Sequence, residues 1–358
     1  MKKSMKAAVL YNVKEIKFEE MPIPDIQEDE VLVKVKNTGI CGSDLAYYYG
    51  KSPIGTPNGK GPLVIGHEIS GEVEKVGSIP GKLKLFSYKE KVVINPIQNC
   101  NLCEDCSKGN INTCSNPTLI GINSNGGLAE YCVSKYSSLY KLPENINFSV
   151  GAFIEPIACS LQGLDKLSVS LDQFIVIIGA GPIGIILSKL IRKAGAGKIL
   201  MIDKHDFRLE KAKEFGADYI FNTKDANSKY FEEDILERIR ILSNGNYADG
   251  SIVASGTNEA LDLAINTIGN KGKLVIFGLF NNNCFLNVPV LRFLTMNQEI
   301  RSSWCAPYSW PKAIQTASSN AKDFEKLLTH YYKLEETEKA IQDLSIYSDN
   351  QIKIQIVF

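Results

Sequence analysis

The stretch FIVIIGAGPIGIIL, residues 174–187, decides the architecture. Its first five residues are apolar and mostly β-branched, the composition of a buried strand. Gly179, Gly181 and Gly184 follow in G-x-G-x-x-G order, and the residues after them open a helix. Glycines so spaced permit a tight turn, close approach of backbone to a pyrophosphate, and close packing of helix on strand. Asp203 ends the next apolar run, KILMID, at 203 − 184 = 19 residues past the last glycine. That is near the ~20 at which an acid meets a ribose hydroxyl and repels a 2′-phosphate, so NAD is expected over NADP. Lys204, His205 and Arg208 follow closely and could cradle a phosphate. Gly179, Gly181, Pro182, Ile183, Gly184, Asp203 and Arg208 are the expected cofactor residues.

Outward from this motif, KILMID, YIFN, GSIVAS and KLVIFGL read as strands. Residues 208–215 and NEALDLAINTI, between these strands, read as helices, which gives βαβ repetition and a parallel, doubly wound sheet. Upstream, residues 7–142 break into short strands between Gly, Pro and Asn: KAAVLY, EVLVKVKNTGI, SGEVEKVGS, KVVINPI and GLAEYCVS. Downstream come a helical SWPKAIQTASSN, the segment FEKLLTHYYKL, a charged helix LEETEKAIQDL, and an alternating strand QIKIQIVF that is expected to rejoin the first half.

The chain has 358 residues with 40 basic and 40 acidic side chains, and is 44% hydrophobic. That is ordinary globular composition over a length that predicts two domains. The balance of charge argues against a nucleic-acid partner and for a small molecule. The N-terminal apolar run is interrupted by Asn12, Lys14 and Glu15, and the run from Phe174 is too glycine-rich, and too soon charged at Lys189, to span a membrane. A cytoplasmic protein is expected.

In a reducing compartment, clustered cysteines mean metal rather than disulfides. CNLCEDCSKGNINTC, residues 100–114, spaces Cys100, Cys103, Cys106 and Cys114 as C-x2-C-x2-C-x7-C. Four thiolates close a tetrahedral zinc site, which makes it structural, and the long last gap fits an iron–sulfur cluster less well. Three further segments carry metal-type side chains: Cys41 in NTGICGSDLAYYYG, His67 and Glu68 in VIGHEISGEVEKVG, and Glu155 in VGAFIEPIACSLQGL. Each alone is more often a packed core residue than a ligand. Three mixed ligands with an open position would describe catalytic zinc, but spacing does not show that they converge.

The order Cys41-Gly42-Ser43-Asp44, Gly66-His67-Glu68, the cysteine loop, Glu155-Pro156 and the glycine fingerprint resembles the zinc-dependent medium-chain dehydrogenase/reductase family, most closely its polyol branch. The resemblance covers essentially the whole chain. It implies an α/β fold, a Rossmann domain over 156–300 plus a GroES-like β-barrel catalytic domain over 1–155, completed by 301–358. It implies two zinc ions per chain and a homodimer or homotetramer. Cys41, His67 and Glu155 match the catalytic zinc positions, and Glu68 a residue that is a ligand in some relatives and lies behind the metal in others. Ser43 matches the group that relays the substrate proton. The implied reaction is NAD-dependent oxidation of a secondary hydroxyl of a polyol or polyol phosphate, of the galactitol 1-phosphate type, to a ketose. Another secondary alcohol, such as butane-2,3-diol or L-threonine, is the same-fold rival; a non-catalytic zinc- and nucleotide-binding protein is the remote one.

Two features of the chain depart from that family: Ala46 occupies the place of a relay histidine, and KEKV (residues 89–92) replaces the usual GDRV turn. Trp304 and Tyr308 in SSWCAPYSWP resemble the cofactor-side and substrate-side loop of the polyol branch, and read equally as domain-interface packing. Lys51, Lys60 and Arg301 are candidate anchors for a substrate phosphate only by their closeness in sequence to active-site motifs, and a charge so placed is more often a solvated surface residue.

Overall fold

The computed structural model describes residues 3–54, 61–346 and 350–358. Lys60 therefore lies outside the described residues. The chain divides into two compact units, one formed by Met1–Ala158 with Ala306–Phe358, the other by Cys159–Cys305.

The second unit is organised by one parallel sheet of six strands. In spatial order these are Tyr219–Asn222, Lys198–Asp203, Phe174–Ile178, Ala248–Val253, Ile268–Ile276 and Glu299–Ser302. The chain leaves the central strand Phe174–Ile178 in one direction for two strands and then in the other for three, the doubly wound order that opens a crevice at the strands' carboxyl ends. Every side chain of Phe174–Ile178 is buried, as a strand covered on both faces requires. Helix Pro182–Lys193 follows it directly, with Gly181 as its N-cap and Pro182 at its start, where a missing N–H costs nothing.

The first unit is built mostly from antiparallel strands, with one parallel pair, Leu328–Lys333 beside Lys353–Val357. Its largest sheet runs Leu139–Lys141, Lys91–Ile94, Glu68–Val76, Glu30–Ile40, Lys353–Val357 and Leu328–Lys333, with Tyr131–Lys135 also pairing to Glu30–Ile40. Its core is aliphatic, with Val31, Val33, Val35, Ile69, Val73, Val92 and Ile94 buried between the faces. The C-terminal strand Lys353–Val357 lies antiparallel to Glu30–Ile40, with Ile354 opposite Ile40. A hairpin of Ser4–Asn12 and Glu15–Pro22 adds a strand the sequence pattern does not display. Glu15–Pro22 is charged and mostly exposed, so it carries no apolar signature.

FEKLLTHYYKL, a single segment by pattern, divides into the end of helix Ala321–Glu325 and strand Leu328–Lys333. The KEKV turn closes on itself. Lys89 takes the left-handed conformation at φ 63°, Glu90 accepts the Ser87 N–H at 2.9 Å, and the Lys91 ammonium donates to the carbonyls of Glu144 and Ile146 at 3.0 and 2.9 Å. No helix among the described residues is long and apolar enough to cross a membrane.

Candidate active site and metal centres

Strand Glu30–Ile40 ends one residue before Cys41, which N-caps the short helix Gly42–Tyr48. Strand Glu68–Val76 begins one residue after His67 and pairs with Glu30–Ile40, placing Gly39 opposite Glu68. Two strand ends in one register thus bring together residues far apart in sequence. One donor atom each from Cys41, His67 and Glu68 lies within 4.8 Å of the others. A tetrahedral zinc with bonds of ~2.0–2.3 Å separates its donors by roughly 3.5–3.8 Å, so this spacing suits such an ion.

The electrostatics favour a cation there. His67 and Glu68 are buried, and His67 Nδ1 and Glu68 Oε2 have no hydrogen-bond partner among the described residues. Uncompensated buried polar atoms are costly, and a metal ion is one way of satisfying them. Burial disfavours a charged His67, but Asp44, Cys41 and Glu155 outweigh it and hold the imidazole well above its usual value. Burial raises the Asp44 carboxyl against the pull of His67 and the Cys41 N–H. An anionic site that draws protons this strongly also draws metal cations.

Glu155 sits in the first turn of helix Ile154–Leu167 and is half-buried. It is not in the three-residue group, and its charge acts on His67 and Lys353. Ser43 carries a buried hydroxyl oxygen with no hydrogen-bond partner among the described residues, and the Tyr47 hydroxyl one helical turn on is in the same state.

Sequence reasoning gave no role to two groups of this site. Asp44, completely buried, receives the Cys41 N–H on one oxygen at 2.8 Å and presents the other 3.7 Å from His67 Nδ1. Asp44 lies inside the quoted Cys41–Asp44 motif, so a search for carboxylates beside a histidine ligand could have found it. The second is Lys353, whose ammonium is 2.5 Å from Glu68 Oε1. Nothing in its surroundings in sequence points to Glu68.

The cysteine loop is a second gathering of donors, with Cys100, Cys103, Cys106 and Cys114 sulfurs within 4.8 Å of one another. The Cys100–Cys106 and Cys103–Cys114 pairs are each 4.0 Å apart. Thiolates bound to one zinc at ~2.3 Å would be about 3.8 Å apart. Backbone N–H groups point at the sulfurs: Cys103 donates to Cys100 at 3.4 Å, Cys106 to Cys103 at 3.5 Å and Cys100 to Cys114 at 3.3 Å. The Cys106 N–H is the chief cause that lowers the Cys103 thiol to about 6, while loss of solvent and the neighbouring thiols push Cys106 up to about 11. Four sulfurs this close cannot all ionise without a cation among them.

In the second unit, Gly179 has φ 104°, and an added Cβ at Gly184 would lie 1.9 Å from the Gly179 carbonyl. Gly181 has open space where a side chain would be, directly at the N-terminus of Pro182–Lys193. The first turn of that helix presents N–H groups toward this space, which fits a pyrophosphate. Ala180, Lys204 and His205 donate backbone N–H bonds to the Asp203 carboxylate at 2.7, 2.7 and 3.0 Å. Asp203 is thereby fixed at the end of its strand, and Arg208 lies half-buried in the first turn of helix Asp206–Glu214. Trp304 and Tyr308 are 44% and 64% exposed, so neither is a core aromatic. Arg301 is committed to Glu299, the Lys166 carbonyl and Ser168.

Paired donor clusters in one unit and a dinucleotide crevice in the other define a zinc-dependent, nicotinamide-using oxidoreductase. Residues 27–144 match the alcohol dehydrogenase GroES-like domain, and residues 182–319 match the zinc-binding dehydrogenase domain. The chain belongs to the zinc-type medium-chain alcohol dehydrogenase family, among its polyol dehydrogenases, and its cofactors are zinc and NAD(P). It is 32% identical to sorbitol dehydrogenase of Bacillus subtilis over 99% of this chain and 97% of that one. It is 30% identical to D-arabitol-phosphate dehydrogenase of Enterococcus avium over 95% and 93%. A zinc-binding dehydrogenase from Sinorhizobium meliloti, solved bound to NADP, superposes with a TM-score of 0.90 at 25% identity over the whole of both chains.

Proposed function

We propose that this enzyme is an NAD-dependent polyol or polyol-phosphate dehydrogenase of the galactitol 1-phosphate type. The observation that carries the reading is the gathering of Cys41, His67 and Glu68, with unpartnered donor atoms, on the strand ends that also position Ser43. Three protein donors leave a tetrahedral ion one position for substrate. On this reading Cys41, His67 and Glu68, under the charge of Glu155, hold catalytic zinc, and the four loop cysteines hold structural zinc.

When bound, zinc supplies Lewis acidity to a substrate hydroxyl and NAD accepts a hydride. The substrate loses its hydroxyl proton to Ser43 and a hydride from the same carbon, leaving a ketone. Ala46 cannot extend the proton path, so it continues through water, the cofactor ribose or the buried Tyr47 hydroxyl on the same helix face. Asp203 receives the ribose hydroxyl and opposes a 2′-phosphate, which supports NAD. The arabitol-phosphate relative supports a phosphorylated substrate. Lys51 is exposed and remains the described candidate for its anchor, since Arg301 is engaged elsewhere. The reading includes a cytoplasmic homodimer or homotetramer. Exposed Val290, Leu291 and Leu294 on helix Val290–Thr295 support a subunit contact, which light scattering tests.

The test of the function is initial-rate reduction of NAD and of NADP on galactitol 1-phosphate, sorbitol 6-phosphate, galactitol, sorbitol, butane-2,3-diol and L-threonine, with Cys41→Ser as control. Preference for a phosphorylated polyol, lost in the control, is the expected result. Preference for butanediol or threonine overturns the substrate, and no turnover on any overturns the reading.

A further inference from the structure

The ion pair of Lys353 and Glu68 is almost dry, the two side chains being 4% and 1% exposed. The lysine ammonium donates to Glu68 Oε1 at 2.5 Å and to the Ile40 carbonyl at 2.9 Å. Only one carboxylate oxygen is engaged. Oε2 has no hydrogen-bond partner among the described residues, while Glu68 offers an oxygen within 4.8 Å of the Cys41 and His67 donors. Gly39 closes the remaining side, since an added Cβ there would lie 2.0 Å from Oε2.

We propose that Lys353 is a positioning residue that shares the Glu68 carboxylate with the catalytic metal, limiting Glu68 to one oxygen toward the ion and offsetting part of the centre's negative charge. The inference rests on the zinc reading of Cys41, His67 and Glu68. Two anionic ligands, Cys41 and Glu68, already match the charge of a divalent ion, Asp44 and Glu155 stand beside them, and the ammonium of Lys353 offsets one of these negative charges. A nearby cation lessens the repulsion of negative charge developing on a substrate oxygen. Without Lys353, Glu68 is a buried anion whose best remaining partner is the metal.

Three readouts on the full-length enzyme test this: the rate at which a chelator removes the second zinc, the visible spectrum of the cobalt-substituted protein, and kcat and KM. Lys353→Met is expected to release that zinc more slowly than the wild type, because the buried Glu68 carboxylate is left with the metal as its best partner. Its cobalt bands should shift as Glu68 changes its mode of ligation, and kcat should fall more than KM changes. Lys353→Arg, which keeps the charge, is expected to restore wild-type behaviour. Lys353→Gln, which can still donate to the Ile40 carbonyl, is the second neutral variant if methionine does not fold. Release at the wild-type rate or faster, with unchanged cobalt bands, would show that Lys353 only holds the strand and overturns the proposal. A wild-type protein that takes up one zinc, in the cysteine loop alone, would instead overturn the zinc reading beneath it.

Discussion

Asp44 touches two proposed ligands with one carboxylate: Oδ2 accepts the Cys41 N–H at 2.8 Å, and Oδ1 stands 3.7 Å from His67 Nδ1. At that distance the two make no hydrogen bond, and the carboxylate acts on the imidazole through its charge, which raises the basicity of the ring. Asp44→Asn keeps the shape and removes the charge. Zinc affinity at this centre should fall about 10- to 100-fold, with the cysteine-loop zinc untouched. Metal content after dialysis against graded chelator measures this, and equal loss from both centres would count against it.

Asp203 is held by three backbone N–H groups, and on the proposed reading it accepts a ribose hydroxyl. Asp203→Ala removes both the acceptor and the repulsion of a 2′-phosphate. The kcat/KM for NAD should drop by roughly tenfold or more, the loss of about one charged hydrogen bond, while the ratio of NADP to NAD activity rises. Side-by-side kinetics with the two cofactors decide it. A wild-type preference for NADP would contradict the role given to Asp203.

The cysteine loop should be sensitive to acid. In the metal-free fold the Cys103 thiol is lowered to about 6, below the ~8.5 of an ordinary cysteine. A depressed value contributes stability that is present above the unfolded value and lost as pH falls through about 6. Zinc binding at pH 8 must also displace a proton from Cys106, pushed up to about 11. The expected outcome is proton release on zinc uptake and zinc release on acidification through that range, followed with a metal-sensitive dye. Cys106→Ser should lower bound zinc by one per chain and leave cofactor binding intact.

Lys89 adopts φ 63°, a conformation that costs a residue with a Cβ about 1–2 kcal/mol. Its N–H donates to the Val73 carbonyl at 2.8 Å, a bond that glycine retains. Lys89→Gly should therefore stabilise the first unit by up to about 1 kcal/mol after glycine's own entropy cost. Differential scanning calorimetry should show a rise of a few degrees, on the order of 2–4 °C per kcal/mol for a unit of this size. A fall would mean that the Lys89 side chain contributes more than its backbone costs.

The parts of the molecule legible in sequence are those whose physics is local. The glycine fingerprint, the strand before it and Asp203 at the end of the next strand form one supersecondary unit, and Cys100 to Cys114 is a single loop. Cys41, His67, Glu68 and Glu155 could be suspected from residue type, but the grouping of the first three depends on strand register, which spacing does not show, and Glu155, on a helix, stands outside that group. Lys353 was hidden for a more specific reason. In QIKIQIVF, Lys353 and Gln355 alternate with isoleucines and read as the wet face of a half-buried strand. The strand Lys353–Val357 instead lies between Glu30–Ile40 and Leu328–Lys333, and its first four residues are all buried. Both polar residues therefore point into protein, Gln355 toward the Ser149 carbonyl and Lys353 toward Glu68.

Lys353 also sets an order on biosynthesis. It lies 285 residues after the glutamate it neutralises. A nascent chain thus carries Cys41, His67 and Glu68 through translation of the entire nucleotide-binding unit before their counter-charge is made. During that interval the carboxylate has only water, protons or free metal as partners. Assembly of the finished centre waits until strand Lys353–Val357 has been made.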